Sequence, residues 1–167
     1  MAVVELKYAN ILLVDGDTPV NTLSLKIGDG NLTYSETRNI EYKLDKGLID
    51  LVRQGDEAPV DVSLDCVLEK WVSSSGESIT PREALTQTGR AADWVSSSAD
   101  TCEPYAVDLV VNYQPNCATE GASQLITLTD FRYEKLDFDL KAGTLKVTGK
   151  CNCTAATYAA DVSEGAV

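Results

Sequence analysis

Alternating apolar and polar residues predict that most of this chain is β-strand. The clearest run is residues 60–69, because side chains of a strand point alternately to its two faces. The apolar side of that run holds Val60, Val62, Leu64, Cys66 and Leu68, and the polar side holds Asp61, Ser63, Asp65 and Glu69, with Val67 as the exception. Similar patterns predict strands within residues 21–27, 32–44, 105–113, 124–140 and 144–153, with a bend at Glu134-Lys135.

The segment 80–89 carries the signals of a short α-helix. Thr80 is suited to the N-cap position and Pro81 to the first helical position. Glu83 can complete a capping box by accepting a hydrogen bond from the Thr80 backbone N–H, and Gly89 can end the helix. The sequence GDGN at 28–31 predicts a hairpin turn between two strands. Residues 45–59 are long and charged, which predicts an ordered excursion rather than a tight turn.

These elements predict one domain over residues 1–167. We expect seven or eight strands and a mainly β fold: an antiparallel β-sandwich or barrel with one short flanking α-helix. The first strand candidate, within residues 3–14, alternates poorly. Residues 154–167 are small and unpatterned, which predicts a C-terminal arm.

The charge balance narrows the possible partners. Asp and Glu number 26 against 14 Lys and Arg, a formal net charge of -12. Phosphate neutralisation needs basic patches, so this balance argues against a nucleic-acid binder and against adhesion to anionic membranes. No apolar run approaches the roughly 20 residues that span a bilayer, and the first residues lack a basic leader, so we expect a protein that is not exported.

The five cysteines follow no zinc-binding spacing. There is no C-x-x-C pair and no histidine in the chain. Cys66 lies on the apolar side of its strand and is expected to be a core thiol. The disulfide candidates near predicted strand ends are Cys102, Cys117, Cys151 and Cys153. Reduced thiols in the producing cell are the favoured state, and disulfides formed later are the alternative.

Catalytic signals are missing from the sequence. Without histidine, no Ser-His or Cys-His pair can form, and no glycine-rich phosphate-binding motif is present. Acid pairs such as Asp137 and Asp139 on a strand are typical of a solvated surface. We therefore expect no catalytic residue, cofactor or metal site, which leaves a structural subunit or a binding module.

Three stretches resemble the tail tube proteins of tailed bacteriophages, and together they cover about half of the chain. They are residues 29–69, 99–117 and 133–152. The first is the most specific, because it follows the family pattern D-(R/K)-G-x-(L/I)-D-x-V-R-x-G-(D/E)-x-x-P-V. The matching residues are Asp45, Lys46, Gly47, Asp50, Val52, Arg53, Gly55, Asp56, Pro59 and Val60.

The resemblance implies a subunit of hexameric rings that stack into a hollow tube. Such a tube holds the tape measure protein and later conducts DNA, and each subunit contributes strands to a continuous inner β-barrel. The charged segment 43–58 would be the loop that meets the next ring, with contact candidates Lys43, Asp45, Lys46, Asp50, Arg53, Asp56 and Glu57. The lumen-facing candidates are Asp61, Ser63 and Asp65, whose charges would repel DNA phosphates.

The resemblance also implies a location and further partners. The protein would be assembled in the cytoplasm of a host bacterium and would lie in the tail of the virion. Its partners would be other copies of itself, the tail terminator, baseplate or tip proteins, and a sheath if the tail is contractile. DNA would pass through without being bound specifically.

Two alternatives remain open at this stage. One is the tube subunit of a related machine, such as a type VI secretion tube or a phage-like bacteriocin. The other is a monomeric β-sandwich that binds a ligand such as a carbohydrate. A module of that kind needs exposed aromatic residues, whereas Trp71 and Trp94 flank the predicted helix and are expected to pack in the core.

Overall fold

A computed structural model describes residues 5–114 and 123–160. The β-strands in chain order are β1 (Ala9–Val14), β2 (Thr22–Leu25), β3 (Leu32–Ser35), β4 (Ile40–Asp45), β5 (Leu48–Gln54), β6 (Val60–Val67), β7 (Val107–Tyr113), β8 (Gln124–Asp139), β9 (Thr144–Cys151) and β10 (Thr157–Ala160). The α-helix α1 spans Pro81–Thr86, and short 3-10 helices span Leu6–Tyr8 and Gly89–Ala91. The mainly β, antiparallel class is confirmed.

Eight strands form one antiparallel sheet that divides at β8. The strand order is β2-β1-β7-β8-β9-β6-β3, and β10 pairs with β8 on the same side as β9. The first half of β8 pairs with β7 and β10, and its second half pairs with β9. The register shifts between Tyr133 and Lys135, at the predicted bend. The sheet therefore consists of two halves that share one long bent strand.

Both halves contribute to a single hydrophobic core. On β6 the inward residues are buried as the alternation predicts, and β9 supplies Leu145 and Val147 beside them. From the other half, Ile11, Leu13, Leu109 and Leu128 join the same cluster. α1 and the segment after it close the core with Ala84, Leu85, Ala91 and Trp94.

The N-terminus of α1 forms as predicted, but its C-terminus does not. The Thr80 hydroxyl accepts a hydrogen bond from the Glu83 N–H, and the Glu83 carboxylate accepts one from the Thr80 N–H. The helix ends at Gln87, which adopts the left-handed conformation, and the predicted end at Gly89 is wrong. Gly89 has a φ of +59° and starts the following 3-10 helix.

One prediction about strand pairing is wrong. β2 and β3 do not form a hairpin across residues 28–31: β2 pairs with β1 and β3 pairs with β6. The intervening segment instead runs along the end of β6, where the Val67 N–H donates to the Lys26 carbonyl and the Asp65 N–H to the Asn31 carbonyl. The poorly alternating first segment contains β1, which has β2 on one side and β7 on the other.

Two segments predicted to be irregular are strands. The excursion over 45–59 contains a tight turn at Lys46-Gly47, both with positive φ, followed by β5. The predicted C-terminal arm contains β10, which pairs with β8 and is tied to the β3–β4 connection because the Ala156 N–H donates to the Glu36 carboxylate. Residues 161–167 of that prediction lie outside the described residues.

Candidate assembly surfaces

The most distinctive surface is a two-stranded hairpin, residues 40–54, which we call the arm. β4 and β5 pack mainly against each other rather than against the rest of the described chain, and every residue from Glu41 to Gln54 is exposed. The arm continues the β3–β6 pair beyond the end of the sheet, through the hydrogen bond from the Gly55 N–H to the Asn39 carbonyl. Six residues of extended chain give it a length of roughly 20 Å.

The strand register gives the arm one apolar face. Tyr42 lies opposite Val52 and Leu44 opposite Ile49, and these four side chains share a face because cross-strand partners and alternate residues point the same way. Leu44 and Ile49 are each 64% exposed. An isolated two-stranded hairpin is at best marginally stable in water. The apolar face of the arm is therefore left uncovered by the described part of the chain.

The opposite face of the arm carries most of its charges. Glu41 accepts a 2.7 Å hydrogen bond from the Arg53 side chain directly across the strands, and Lys43 lies opposite Leu51. Asp45 lies opposite Leu48 beside the turn residue Lys46, and Asp50 falls where the register shifts. The arm balances three acids, Glu41, Asp45 and Asp50, with three bases, Lys43, Lys46 and Arg53, in a chain whose net charge is -12.

The predicted inter-ring residues thus fall into two groups. Lys43, Asp45, Lys46, Asp50 and Arg53 belong to the arm. Asp56 and Glu57 are exposed residues at its base, where the Asn39 side-chain amide donates to the Asp56 carbonyl. The segment is a hairpin rather than the loop that was expected.

A second surface is the outward side of the half-sheet β3-β6-β9 and the second half of β8, which we call the polar face. Cross-strand pairing places three rows on this side: Ser35, Asp61, Lys150 and Arg132; Thr33, Ser63, Thr148 and Lys135; and Asp65, Lys146 and Asp137. Asp61 and Asp65 therefore point away from the core, on the wet side that the alternation predicted. Asp139 lies one further step along β8.

The polar face carries mixed charge, which differs from the acidic row expected from β6 alone. Lys150 Nζ lies 3.8 Å from Asp61 Oδ1, and Lys135 Nζ lies 3.6 Å from Asp137 Oδ1. Four carboxylates, on Asp61, Asp65, Asp137 and Asp139, face three ammonium groups, on Lys135, Lys146 and Lys150, and the guanidinium of Arg132, which is paired with Glu103. The charges of Asp61 and Asp65 were expected to repel DNA phosphates, and the neighbouring strand β9 places lysines directly beside both of them.

The described cysteines Cys66, Cys102, Cys151 and Cys153 are free thiols. Burial raises the pKa of Cys66 to about 11 and that of Cys151 to about 12. Cys102 is exposed, and Cys117 lies outside the described residues. Cys66 is the core thiol that the sequence predicted.

The two tryptophans differ in their surroundings. Trp94 is 4% exposed and packs in the core as predicted, whereas Trp71 is 48% exposed, so the core prediction is wrong for Trp71.

A groove on the surface is lined by Tyr105, Tyr133 and Glu134 and also contains Arg132 and Lys150. Both of these bases are engaged in surface ion pairs, Arg132 with Glu103 and Lys150 with Asp61.

Residues 5–114 and 123–160 contain no group of three or more Cys, Asp and Glu side chains placed to hold a metal ion. Over the same residues, no helix has the length and apolar content to cross a membrane. No protein-family model matches the chain, and a search of curated proteins found no significant match.

Proposed function

We propose that this protein is a self-assembling subunit of a bacteriophage tail tube, in which hexameric rings stack into a hollow tube. The observation that carries the proposal is the arm, which holds an apolar face in water and packs mainly against itself. Burial of each of its larger apolar side chains is worth about 1.5–3 kcal/mol. A second copy of the chain can supply the cover that the described part of one chain does not.

The charges of the arm suit burial against another copy. Each copy is strongly acidic, so contact between two acidic surfaces is opposed by like-charge repulsion. The arm has balanced charges, and Glu41 and Arg53 already compensate each other within it. It can therefore approach an acidic neighbour at little electrostatic cost, while its remaining charges help to fix register.

The polar face is the surface that we assign to the lumen. It is broad and hydrophilic, with closely balanced charge and no exposed aromatic residue among its paired positions. Such a wall offers passing DNA neither a basic patch nor a stacking platform, so DNA slides along it without binding. The tape measure protein would occupy the same channel before ejection.

The balanced charge of the polar face also suits a tube that carries proteins. A type VI secretion tube or a phage-like bacteriocin is therefore kept as the second candidate. Both candidates share assembly of stacked rings and differ in cargo. A monomeric ligand-binding module is disfavoured because it has no use for an uncovered apolar arm.

Light scattering during gel filtration tests the proposal. One chain has a mass of 18.0 kDa. A tube subunit is expected to show masses at multiples of that value, which rise as the protein concentration increases. A mass of 18.0 kDa at every concentration and salt strength would contradict assembly and favour the monomeric module.

A further inference from the structure

We propose that residues 156–160, which we call the strap, are held to the β3 end of the other half of the sheet by the Glu36 carboxylate and are released when that carboxylate takes up a proton. The inference concerns one copy of the chain and does not depend on the proposed function. Among the described residues, β10 pairs only with β8, over four residue pairs, and all four of its residues are exposed. The sheet therefore contributes little to holding the strap.

Hydrogen bonds from the strap to the other half of the sheet meet at one carboxylate. Glu36 directly follows β3, and its Oε1 accepts a hydrogen bond from the Tyr158 hydroxyl at 2.5 Å and one from the Ala156 N–H at 3.0 Å. The Tyr34 hydroxyl lies 3.0 Å from the Tyr158 hydroxyl. Since the single hydroxyl proton of Tyr158 is donated to Glu36, Tyr34 is the donor in this contact. A chain of three side chains thus joins β3 to β10.

The negative charge of Glu36 strengthens both of its bonds, because an ionised oxygen is a better acceptor than a neutral one. The same bonds lower the pKa of Glu36, the bond from Tyr158 most and the bond from the Ala156 N–H next. Because this pKa is depressed in the folded protein, the contribution is fully present above the ordinary value of 4.5. It is lost as the pH falls through the folded-state value, so acid loosens the strap.

Other titratable groups lie near Glu36 and determine which control is needed. Tyr34 and Tyr158 face it from β3 and β10, and the groove beside it is lined by Arg38, Asp56 and Glu57. Burial and the bond to Glu36 raise the pKa of Tyr158, so its hydroxyl keeps its proton in this pH range. Asp56 and Glu57 also take up protons in acid, and an effect of Glu36 must be separated from theirs.

Release of the strap exposes part of the core and one strand edge. Ala156 is 8% exposed and belongs to the hydrophobic core cluster. β10 covers one edge of residues 124–127 in β8, whose other edge pairs with β7. An uncovered edge presents unpaired N–H and C=O groups to which another strand can add. β6 and β9 are paired on both sides, so we expect them to stay folded while the strap is open.

Hydrogen exchange measured by mass spectrometry tests the strap in the full chain. Glu36→Gln keeps an acceptor oxygen but removes the charge, so it imitates the protonated carboxyl. Glu57→Gln, at a second carboxylate of the same groove, is the matched control. At pH 7 we expect the amides of residues 124–127 and 156–160 to exchange roughly threefold faster or more in Glu36→Gln than in the wild-type protein. The amides of β6 and β9 should exchange at unchanged rates.

The same peptides test the dependence on pH, after correction for the intrinsic effect of pH on exchange. Between about pH 5 and 3 the strap of the wild-type protein should lose protection and approach that of Glu36→Gln, whose protection should stay constant. Equal rates in the wild-type protein and Glu36→Gln at pH 7 would overturn the inference, and so would an equal effect of Glu57→Gln. Faster exchange throughout β6 and β9 would also overturn it, because Glu36 would then support the whole fold rather than the strap.

Discussion

At the scale of single residues, Glu83 shows how a buried charge organises the flank of the core. Its carboxylate is 1% exposed and accepts hydrogen bonds from the backbone N–H groups of Ser73, Thr80 and Arg90 and from the Thr80 hydroxyl. Burial by itself raises the pKa of Glu83, but these donors outweigh it and lower the pKa to about 2. A Cβ at Gly89 would lie 2.2 Å from Glu83 Oε2, so this position needs glycine.

We predict that Glu83→Gln lowers the free energy of unfolding by roughly 2–3 kcal/mol at pH 7, because a neutral amide turns an NH₂ group toward several N–H donors. The pKa of this carboxyl is depressed in the folded state. Its contribution is therefore fully present above the unfolded value of about 4.5 and is lost as the pH falls toward 2. Urea unfolding at several pH values should show the two proteins converging between pH 4.5 and 2. A constant difference down to pH 2 would contradict the assignment.

The thiols give a second prediction for single residues. Because burial raises the pKa of Cys66 to about 11 and that of Cys151 to about 12, neither forms much thiolate near pH 8. Iodoacetamide should modify Cys102 at least tenfold faster than either of them in the folded protein, and all three at similar rates in urea. Mass spectrometry of the peptides measures this. Rapid labelling of Cys151 would mean that the core opens at the end of β9.

At the scale of elements, we propose that the two faces of the arm differ in their contribution to assembly. We predict that Leu44→Ser, on the apolar face, strongly reduces assembly. The free energy of unfolding of the unassembled protein should change by less than about 1 kcal/mol, because Leu44 is exposed and is not part of the core cluster. Leu51→Ser on the same arm is the matched control on the charged face. It should reduce assembly much less.

Light scattering of the two variants at equal concentration separates the possible outcomes. Equal loss of assembly in both would mean that the charged face is buried to the same degree. Normal assembly of Leu44→Ser would remove the arm from the subunit contacts. A large loss of stability in Leu44→Ser would mean that the arm belongs to the core of its own copy.

The elements also show which kinds of structure can be predicted from this sequence. The alternation in β6, β7 and β9 and the capping box of α1 are local patterns with a local cause, and the sequence predicts these elements correctly. The Lys46-Gly47 turn was missed because lysine rarely takes positive φ. The extra residue at the register shift, Asp50, interrupts the alternation of β5, so the apolar face of the arm could not be predicted from the pattern of the strand.

The pairing of strands that are distant in the chain could not be predicted from the sequence. The turn residues at 28–31 suit a hairpin locally, yet contacts with the end of β6 direct the chain to the other half of the sheet. The lysines opposite Asp61 and Asp65 lie more than 80 residues away in the chain, so the mixed charge of the polar face depends on a pairing that no local pattern encodes.

At the scale of the whole molecule, the charge on the polar face should control how DNA passes. Asp61→Asn with Asp65→Asn leaves two carboxylates against three ammonium groups and the Arg132 guanidinium on this face. We predict that tubes of this variant still form and retain several-fold more duplex DNA at low salt, in a form that resists nuclease. Asp29→Asn with Asp93→Asn, at exposed positions elsewhere, changes the net charge equally and is the control. Equal retention by both variants would contradict the assignment of the polar face to the lumen.

The central claim is that one copy of this chain is an incomplete unit that repeats around and along a hollow tube. Negative-stain electron microscopy of the purified wild-type protein, over a series of concentrations and salt strengths, tests this claim most directly. The account predicts rings with a central hole, and tubes of stacked rings at high concentration. Uniform particles of the size of one chain under every condition would contradict it.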